Sequence, residues 1–186
     1  GKYIIGLSQK LFTNPFVFQF VSFALVLLMF FLISGSPFLT LALSFEPLLV
    51  SQINETLLGT HLLLFQLTSI WLFLEFINKE KRSLAHAMFT WFFLGLAFAT
   101  KFFPVTAPLV VAIILFTVLS GDFKKFTQLM FSLPGAGIAF LLGHISYFTH
   151  HPSLISFIKY IRYQINWWAG SPQVAPFSIF RIIFQN

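Results

Sequence analysis

The chain has 186 residues, of which 58% are hydrophobic and only 9% are charged. A typical soluble domain carries about 25% charged residues, so this composition excludes a globule coated by polar surface. High hydrophobicity also excludes an intrinsically disordered chain, and the lack of Cys excludes a disulfide scaffold. The formal net charge is +6, but the basic residues do not cluster on a polar face, so we expect no nucleic-acid partner. The composition predicts an all-α, polytopic membrane protein.

Long apolar runs alternate with short polar segments along the chain. A spanning helix needs about 20 mostly apolar residues, and residues 1–13 are too mixed to span, so they predict a short interfacial helix. We predict a bundle of about six crossings, over residues 15–34, 37–52, 55–77, 84–100, 104–120 and 126–148. The second run is short and contains Pro47, so it either crosses a thinned bilayer or breaks near that proline.

The composition of the chain changes near its C-terminal end. We predict a transmembrane helical region over residues 1–149 and an extracytoplasmic helix and loop over residues 150–186. In the second part, apolar residues recur at helical spacing, namely Ile155, Ile158, Ile161, Ile165 and Trp168. Polar residues take the other face, namely Lys159, Arg162 and Asn166. This pattern is typical of an amphipathic helix that lies in the headgroup layer.

Basic residues in the loops predict the orientation of the chain in the membrane. Lysine and arginine occur in residues 78–83 and 121–125, which are separated by two predicted crossings and therefore share a side. The positive-inside rule makes that side cytoplasmic. The N-terminus and residues 150–186 are then extracytoplasmic.

Lys101 is the most conspicuous ionisable residue, because it lies at the outer end of an otherwise apolar hairpin. An ammonium group in that position is costly unless it reaches the headgroups or meets a counter-ion. Two interpretations remain open. Lys101 either contacts the phosphate of a lipid-linked substrate or anchors the helix by snorkelling to the headgroups.

An outer hairpin supplies the remaining candidates for a site, Glu46, Gln52, Asn54 and Glu55. A carboxylate near the membrane surface can bind a metal or act as a base, but acid–base catalysis needs a placed partner. A carboxylate that faces solvent or a wet cavity is the simpler interpretation. We predict no metal site and no cofactor, with a divalent metal as the alternative.

Single histidines and small residues complete the sequence patterns. His61 and His86 stand alone in apolar helices, and we expect each to be a core histidine with satisfied ring nitrogens. Gly95 with Ala99, and Ala139 with Gly143, have the small-xxx-small spacing that lets helices approach closely in lipid.

Several segments resemble, in order, the protein O-mannosyltransferase-type glycosyltransferases of family 39, which have the membrane fold called GT-C. The matching segments are residues 1–12, which begin Gly-Lys-Tyr-Ile-Ile-Gly; 46–52, Glu-Pro-Leu-Leu-Val-Ser-Gln; 95–101, Gly-Leu-Ala-Phe-Ala-Thr-Lys; and 156–168. The chain departs from the family pattern at Gln19, Asn54 and Gly59, where Arg or Asp is more usual.

The resemblance implies an integral-membrane enzyme that moves a sugar from a polyprenyl- or dolichyl-phosphate donor to a hydroxyl acceptor on the outer face. It implies that Lys101 contacts the carrier phosphate, with Lys159 and Arg162 as further candidates for the same donor. The catalytic carboxylate of the family precedes the segment that matches Gly1. We therefore expect the chain to be either an internal fragment whose catalytic acid lies elsewhere or a degenerate relative without activity.

A non-catalytic, multi-pass membrane subunit is the alternative function. Its aromatic helices would pack against partner helices and lipid within a larger complex. The expected partners are membrane lipid, a polyprenyl-phosphate-linked sugar, and other membrane subunits or the remainder of the same chain.

Overall fold

Every regular element in the described part of the chain is an α-helix. The structure, a computed structural model, describes residues 2–54, 59–78, 84–100, 106–151 and 153–170. The helices are α1 Lys2–Phe12, α2 Val17–Ser34, α3 Pro37–Ser44, α4 Pro47–Asn54, α5 Gly59–Asn78, α6 Leu84–Thr100, α7 Ala107–Leu119, α8 Phe123–Phe131, α9 Pro134–Gly143, α10 Ile145–His150 and α11 Leu154–Gly170. The predicted all-α class is confirmed for these residues. The chain divides into two compact units, between Gly143 and His144.

Within the described ranges, three helical segments are long and apolar enough to cross a membrane. They are α2, α5 and the stretch Phe123–Gly143, whereas α6 and α7 are apolar but shorter. Large apolar side chains remain exposed along α2, namely Phe20, Val21, Leu25, Leu28, Phe31 and Leu32. A soluble monomer rarely exposes so continuous an apolar surface, so these features indicate an integral membrane protein. The number of crossings and their orientation remain predictions.

A buried serine connects α1 to α2. The Ser8 hydroxyl donates to the Asn14 carbonyl oxygen at 2.6 Å and accepts a hydrogen bond from the Phe18 backbone N–H at 3.3 Å. These bonds hold the turn between the two helices. The short helix predicted within residues 1–13 is present as α1, and its place at the interface remains a prediction.

The segment predicted as the second crossing is broken into two helices, α3 and α4. Ser36 starts α3 by accepting a hydrogen bond from the Leu39 N–H at 3.3 Å. The helix ends where the N–H groups of Phe45 and Glu46 bond to carbonyls only three residues back. Pro47 then begins α4, because proline has no N–H with which to continue α3. The structure therefore favours the broken helix over the continuous one.

Two side-chain contacts show that α5 and α6 are antiparallel. The rings of Phe65 and Phe93 lie 6.2 Å apart, and the Ser69 hydroxyl donates to the Thr90 carbonyl oxygen at 3.1 Å. A later residue in α5 therefore meets an earlier residue in α6. Continuing this register toward the start of α5 brings its first turn level with the last turn of α6.

Further contacts align α7 with α5. Gln66 Nε2–H donates to Thr106 Oγ1, just before α7, at 3.3 Å, and the rings of Phe73 and Phe116 lie 5.9 Å apart. Both partners advance together along the chain, so α5 and α7 run in the same direction.

Small residues allow α6 and α9 to pack closely. These two helices run parallel to each other, as α5 and α7 do. Gly95 of α6 lies directly against the backbone of Ala136, and Ala99 lies against Gly143. A Cβ atom on Gly95 would come within 2.9 Å of the Ala136 carbonyl carbon, which leaves no room for a side chain. The prediction that Gly95, Ala99 and Gly143 mark a close helix contact is confirmed.

The alternation of α5, α6, α7 and α8–α9 defines two ends of this bundle. At the Lys125 end, where α5 and α7 finish and α8 begins, Lys125 Nζ–H donates to the Ile77 carbonyl oxygen at 2.6 Å. Asp122 caps α8 by accepting a hydrogen bond from the Lys125 N–H at 3.1 Å. At the opposite end, called the Thr60 end, α5 and α7 begin and α6 and α9 finish.

Candidate functional site

Several of the predicted site residues fall outside the part of the chain that the structure describes. Lys101 and Glu55 lie in segments that are not described. Gln52 and Asn54 belong to the last turn of α4, but their side chains are outside the described set. The roles predicted for these residues remain predictions.

Glu46 is half-buried and has a structural role in the described residues. Its Oε1 atom accepts a hydrogen bond from the Leu48 N–H at 3.3 Å, in the first turn of α4. A carboxylate is favoured there by the unpaired N–H groups and by the helix dipole. Glu46 therefore stabilises the start of α4.

Lys159 and Arg162 are exposed on α11, in the second compact unit. The chain contains no acidic residue after Asp122, so this unit supplies no carboxylate to neutralise them. Within this unit the two cations therefore have no acidic side chain to pair with.

The structure adds two residues that the sequence analysis did not select, Thr60 and His61. Both are fully buried in the first turn of α5. Among the residues that the structure describes, neither ring nitrogen of His61 has a hydrogen-bond partner, and the Thr60 hydroxyl has none either. The expectation of a satisfied core histidine is therefore wrong for His61: it is buried as expected, but its polar atoms are left unpaired.

Leaving these atoms unpaired is energetically expensive. An unsatisfied buried polar group costs about 1–3 kcal/mol, and the hydrocarbon of a bilayer offers no water as a substitute partner. Buried polar groups are normally satisfied, so His61 is a candidate for contact with a ligand. No signal in the sequence distinguishes it from His86, because each is a single histidine in an apolar helix.

Other buried polar residues lie at the same end of the bundle. Thr106 is fully buried and accepts the hydrogen bond from Gln66. Thr100 is buried at the end of α6, and its hydroxyl donates to the Leu96 carbonyl oxygen at 2.8 Å. These hydroxyls are satisfied within the fold, in contrast to Thr60.

The chemistry available at the Thr60 end is hydrogen bonding. A neutral imidazole offers one donor and one acceptor, and a hydroxyl offers both. Among the described residues, no group of three or more His, Cys, Asp or Glu side chains is placed to hold a metal ion. The chemistry that these groups offer to a ligand is therefore the donation and acceptance of hydrogen bonds.

No family model, curated protein or solved structure matches this chain.

Proposed function

We propose that this chain is part of an integral-membrane glycosyltransferase. The enzyme moves a sugar from a polyprenyl- or dolichyl-phosphate donor to a hydroxyl acceptor on the outer face of the membrane. Two lines of support are the segments that resemble the family-39 transferases and the polar residues at the Thr60 end. Lys101 lies in the short segment between Thr100 and Thr106, two residues that belong to that end.

The observation that carries the proposal is the buried His61 beside Thr60, since its ring nitrogens have no hydrogen-bond partner within the described part of the chain. Ionisable residues inside a membrane are rare and usually line a substrate or ion path. The hydroxyl groups and phosphate oxygens of a lipid-linked sugar would supply the acceptors and donors that His61 and Thr60 lack. The long apolar carrier would remain in the bilayer while the polar headgroup enters the bundle.

The proposed reaction is a single displacement. The acceptor hydroxyl oxygen attacks the anomeric carbon of the sugar, and the bond from that carbon to the phosphate oxygen breaks. The carrier phosphate leaves with the electron pair, and the proton of the acceptor passes to a carboxylate base outside this chain. Negative charge on the leaving phosphate is stabilised by a nearby cation, the role proposed for Lys101.

Transfer by the full-length protein tests the proposed function. The protein in lipid nanodiscs should transfer mannose from a polyprenyl-phosphate donor to a serine-containing peptide. Lys101→Ala should lower that rate by about 100-fold, the usual effect of removing one group that stabilises developing charge. Lys124→Ala, at the Lys125 end, is the matched control and should keep the parental rate. If the parent protein neither binds the donor nor transfers the sugar, the proposed function is contradicted. If Lys101→Ala keeps the parental rate, only the phosphate role of Lys101 is contradicted.

A stability measurement tests His61 separately. His61→Leu removes an unpaired polar group, so it should raise the unfolding free energy of the donor-free protein by about 1–3 kcal/mol while weakening donor binding. Ser69→Ala is the control, because Ser69 is equally buried on α5 but donates to Thr90. That variant should lose stability and keep donor binding. A destabilised His61→Leu variant with unchanged donor binding would show that His61 is structural.

One observation favours the alternative, a non-catalytic membrane subunit. Glu46 caps α4 and Asp122 caps α8, so these described carboxylates already have structural roles. As a subunit, the protein would co-purify with a stoichiometric partner and would not bind the donor. The nanodisc experiment separates the two functions, because donor binding is expected of only one.

A further inference from the structure

The second compact unit is held together by aromatic side chains from α10 and α11. The rings of Tyr147 and Tyr160 lie 4.9 Å apart, and those of Phe148 and Phe157 lie 4.7 Å apart. His144 also contacts Phe157, with ring centroids 5.5 Å apart. Phe157 is only 6% exposed. This face of α11 is therefore occupied by the unit itself.

A different face of α11 is apolar and uncovered. Leu154, Ile158 and Ile165 are 68%, 65% and 47% exposed. Their spacing of four and seven residues places them in one stripe along the helix. Exposing such a stripe to water is unfavourable, because burying one Leu or Ile side chain is favoured by about 1.5–3 kcal/mol of free energy over leaving it in water.

Positive charge lies beside this stripe. Arg162 follows Ile158 by one helical turn, and Lys159 lies further round the same side. Both are exposed, and the chain has no acidic residue from Phe123 to Asn186. An apolar stripe flanked by cations is complementary to a surface that combines acyl chains with phosphate groups.

Only a short stretch of chain separates α11 from a candidate membrane span. The segment Phe123–Gly143 is apolar and long enough to cross a bilayer, and α11 begins at Leu154. The intervening residues reach at most about 35–40 Å even when fully extended. A bilayer surface is thus within reach of the stripe.

We propose that α11 docks on the surface of an anionic bilayer through Leu154, Ile158 and Ile165, with Lys159 and Arg162 contacting phospholipid phosphates. This assigns the two cations to the bilayer instead of to the glycosyl donor. The exposed apolar stripe contains fewer residues than the apolar face that the sequence predicted for this helix. Ile161 is half-buried in the unit, and Ile155 lies on the side of the cations.

These 186 residues contain no Cys, so a single introduced Cys is the one labelling site within them, and any Cys elsewhere in the full-length protein is first replaced by Ser. A nitroxide is attached at Ile158→Cys in the full-length protein, in nanodiscs with or without phosphatidylglycerol. The matched control is Tyr163→Cys, since Tyr163 is 63% exposed but lies far from the stripe around the helix. Collision rates with oxygen, which concentrates in lipid, and with a water-soluble nickel chelate report the environment of each label.

We expect the label at 158 to collide with oxygen more than with nickel, and the label at 163 to show the reverse. Lys159→Gln and Arg162→Gln should each raise the water-exposed fraction at 158 about five-fold in anionic discs, and high salt should do the same. Nickel access at both positions would overturn the proposal. Shielding of position 158 from both reagents would also overturn it, because a protein partner would then cover the stripe. Lipid contact that does not depend on charge would overturn the role of the two cations. None of these results depends on sugar transfer.

Discussion

Gly95→Ala is expected to destabilise the bundle although alanine is the better helix former. The new Cβ atom would lie within 2.9 Å of both the Cα atom and the carbonyl carbon of Ala136. These are backbone atoms, so no rotamer change can relieve the overlap and α6 must move away from α9. Overpacking of this kind costs about 1–3 kcal/mol, which exceeds the gain of about 1 kcal/mol from replacing Gly within a helix.

Gly137→Ala is the matched control for this prediction. Gly137 lies on α9, and a Cβ atom there would meet nothing within 4 Å. That variant should be neutral or gain up to about 1 kcal/mol. The free energy of unfolding in mild detergent, from denaturant titration of each variant, measures the difference. A Gly95→Ala protein as stable as the Gly137→Ala protein would refute the close contact between α6 and α9.

A residue exchange at the neighbouring contact extends the same test. The obstacle to a side chain at Gly143 is the Cβ atom of Ala99, not backbone. Gly143→Ala alone should therefore destabilise the protein, and adding Ala99→Gly should restore most of the loss. Such coupling is expected only for residues in direct contact. Additive effects of the two substitutions would contradict the packing.

Two further substitutions test the hydrogen bonds that tie the bundle together. Trp91→Phe removes the buried hydrogen bond from the indole Nε1–H to the Leu129 carbonyl oxygen, which is 2.7 Å long. The unfolding free energy should fall by about 1–3 kcal/mol. Trp71→Phe on α5 is the control, and an equal loss of stability in both variants would argue against that bond. Lys125→Met keeps the apolar stem but removes the bond to the Ile77 carbonyl oxygen, so its unfolding free energy should fall by about 1.5–3 kcal/mol. Lys124→Met, on an exposed side chain, should change little, and a larger loss there than at Lys125 would contradict the assignment.

Most of the helices, and the break near Pro47, could be predicted from the sequence, because those features depend on local chemistry; the division of the predicted crossing over residues 126–148 into α8, α9 and α10 was not predicted. Pro47 ends one short helix and begins the next, since proline lacks the N–H needed to continue. Gly95 and Ala99 predicted a close contact because small side chains leave space wherever the helix packs. Their partners on α9 could only be identified once the register between the helices was known.

The candidate site was predictable only in part. Lys101 is conspicuous in the sequence because a charge stands out in an apolar run. His61 is not conspicuous in the sequence, because its candidacy as a ligand contact depends on whether a neighbouring helix supplies a hydrogen-bond partner. The sequence shows that the imidazole is present, but only the structure shows that neither ring nitrogen is paired with another described residue.

The sequence by itself determined that this is an apolar, helical chain suited to a membrane, since hydropathy and helix periodicity are properties of short segments. The tertiary structure decided which side chains meet. It placed the starts of α5 and α7 at one end, paired α6 with α9, and turned Phe157 of α11 inward while leaving Ile158 exposed. Of these two adjacent residues on one helix, one is buried and the other is exposed, because burial depends on packing partners that are distant in the sequence.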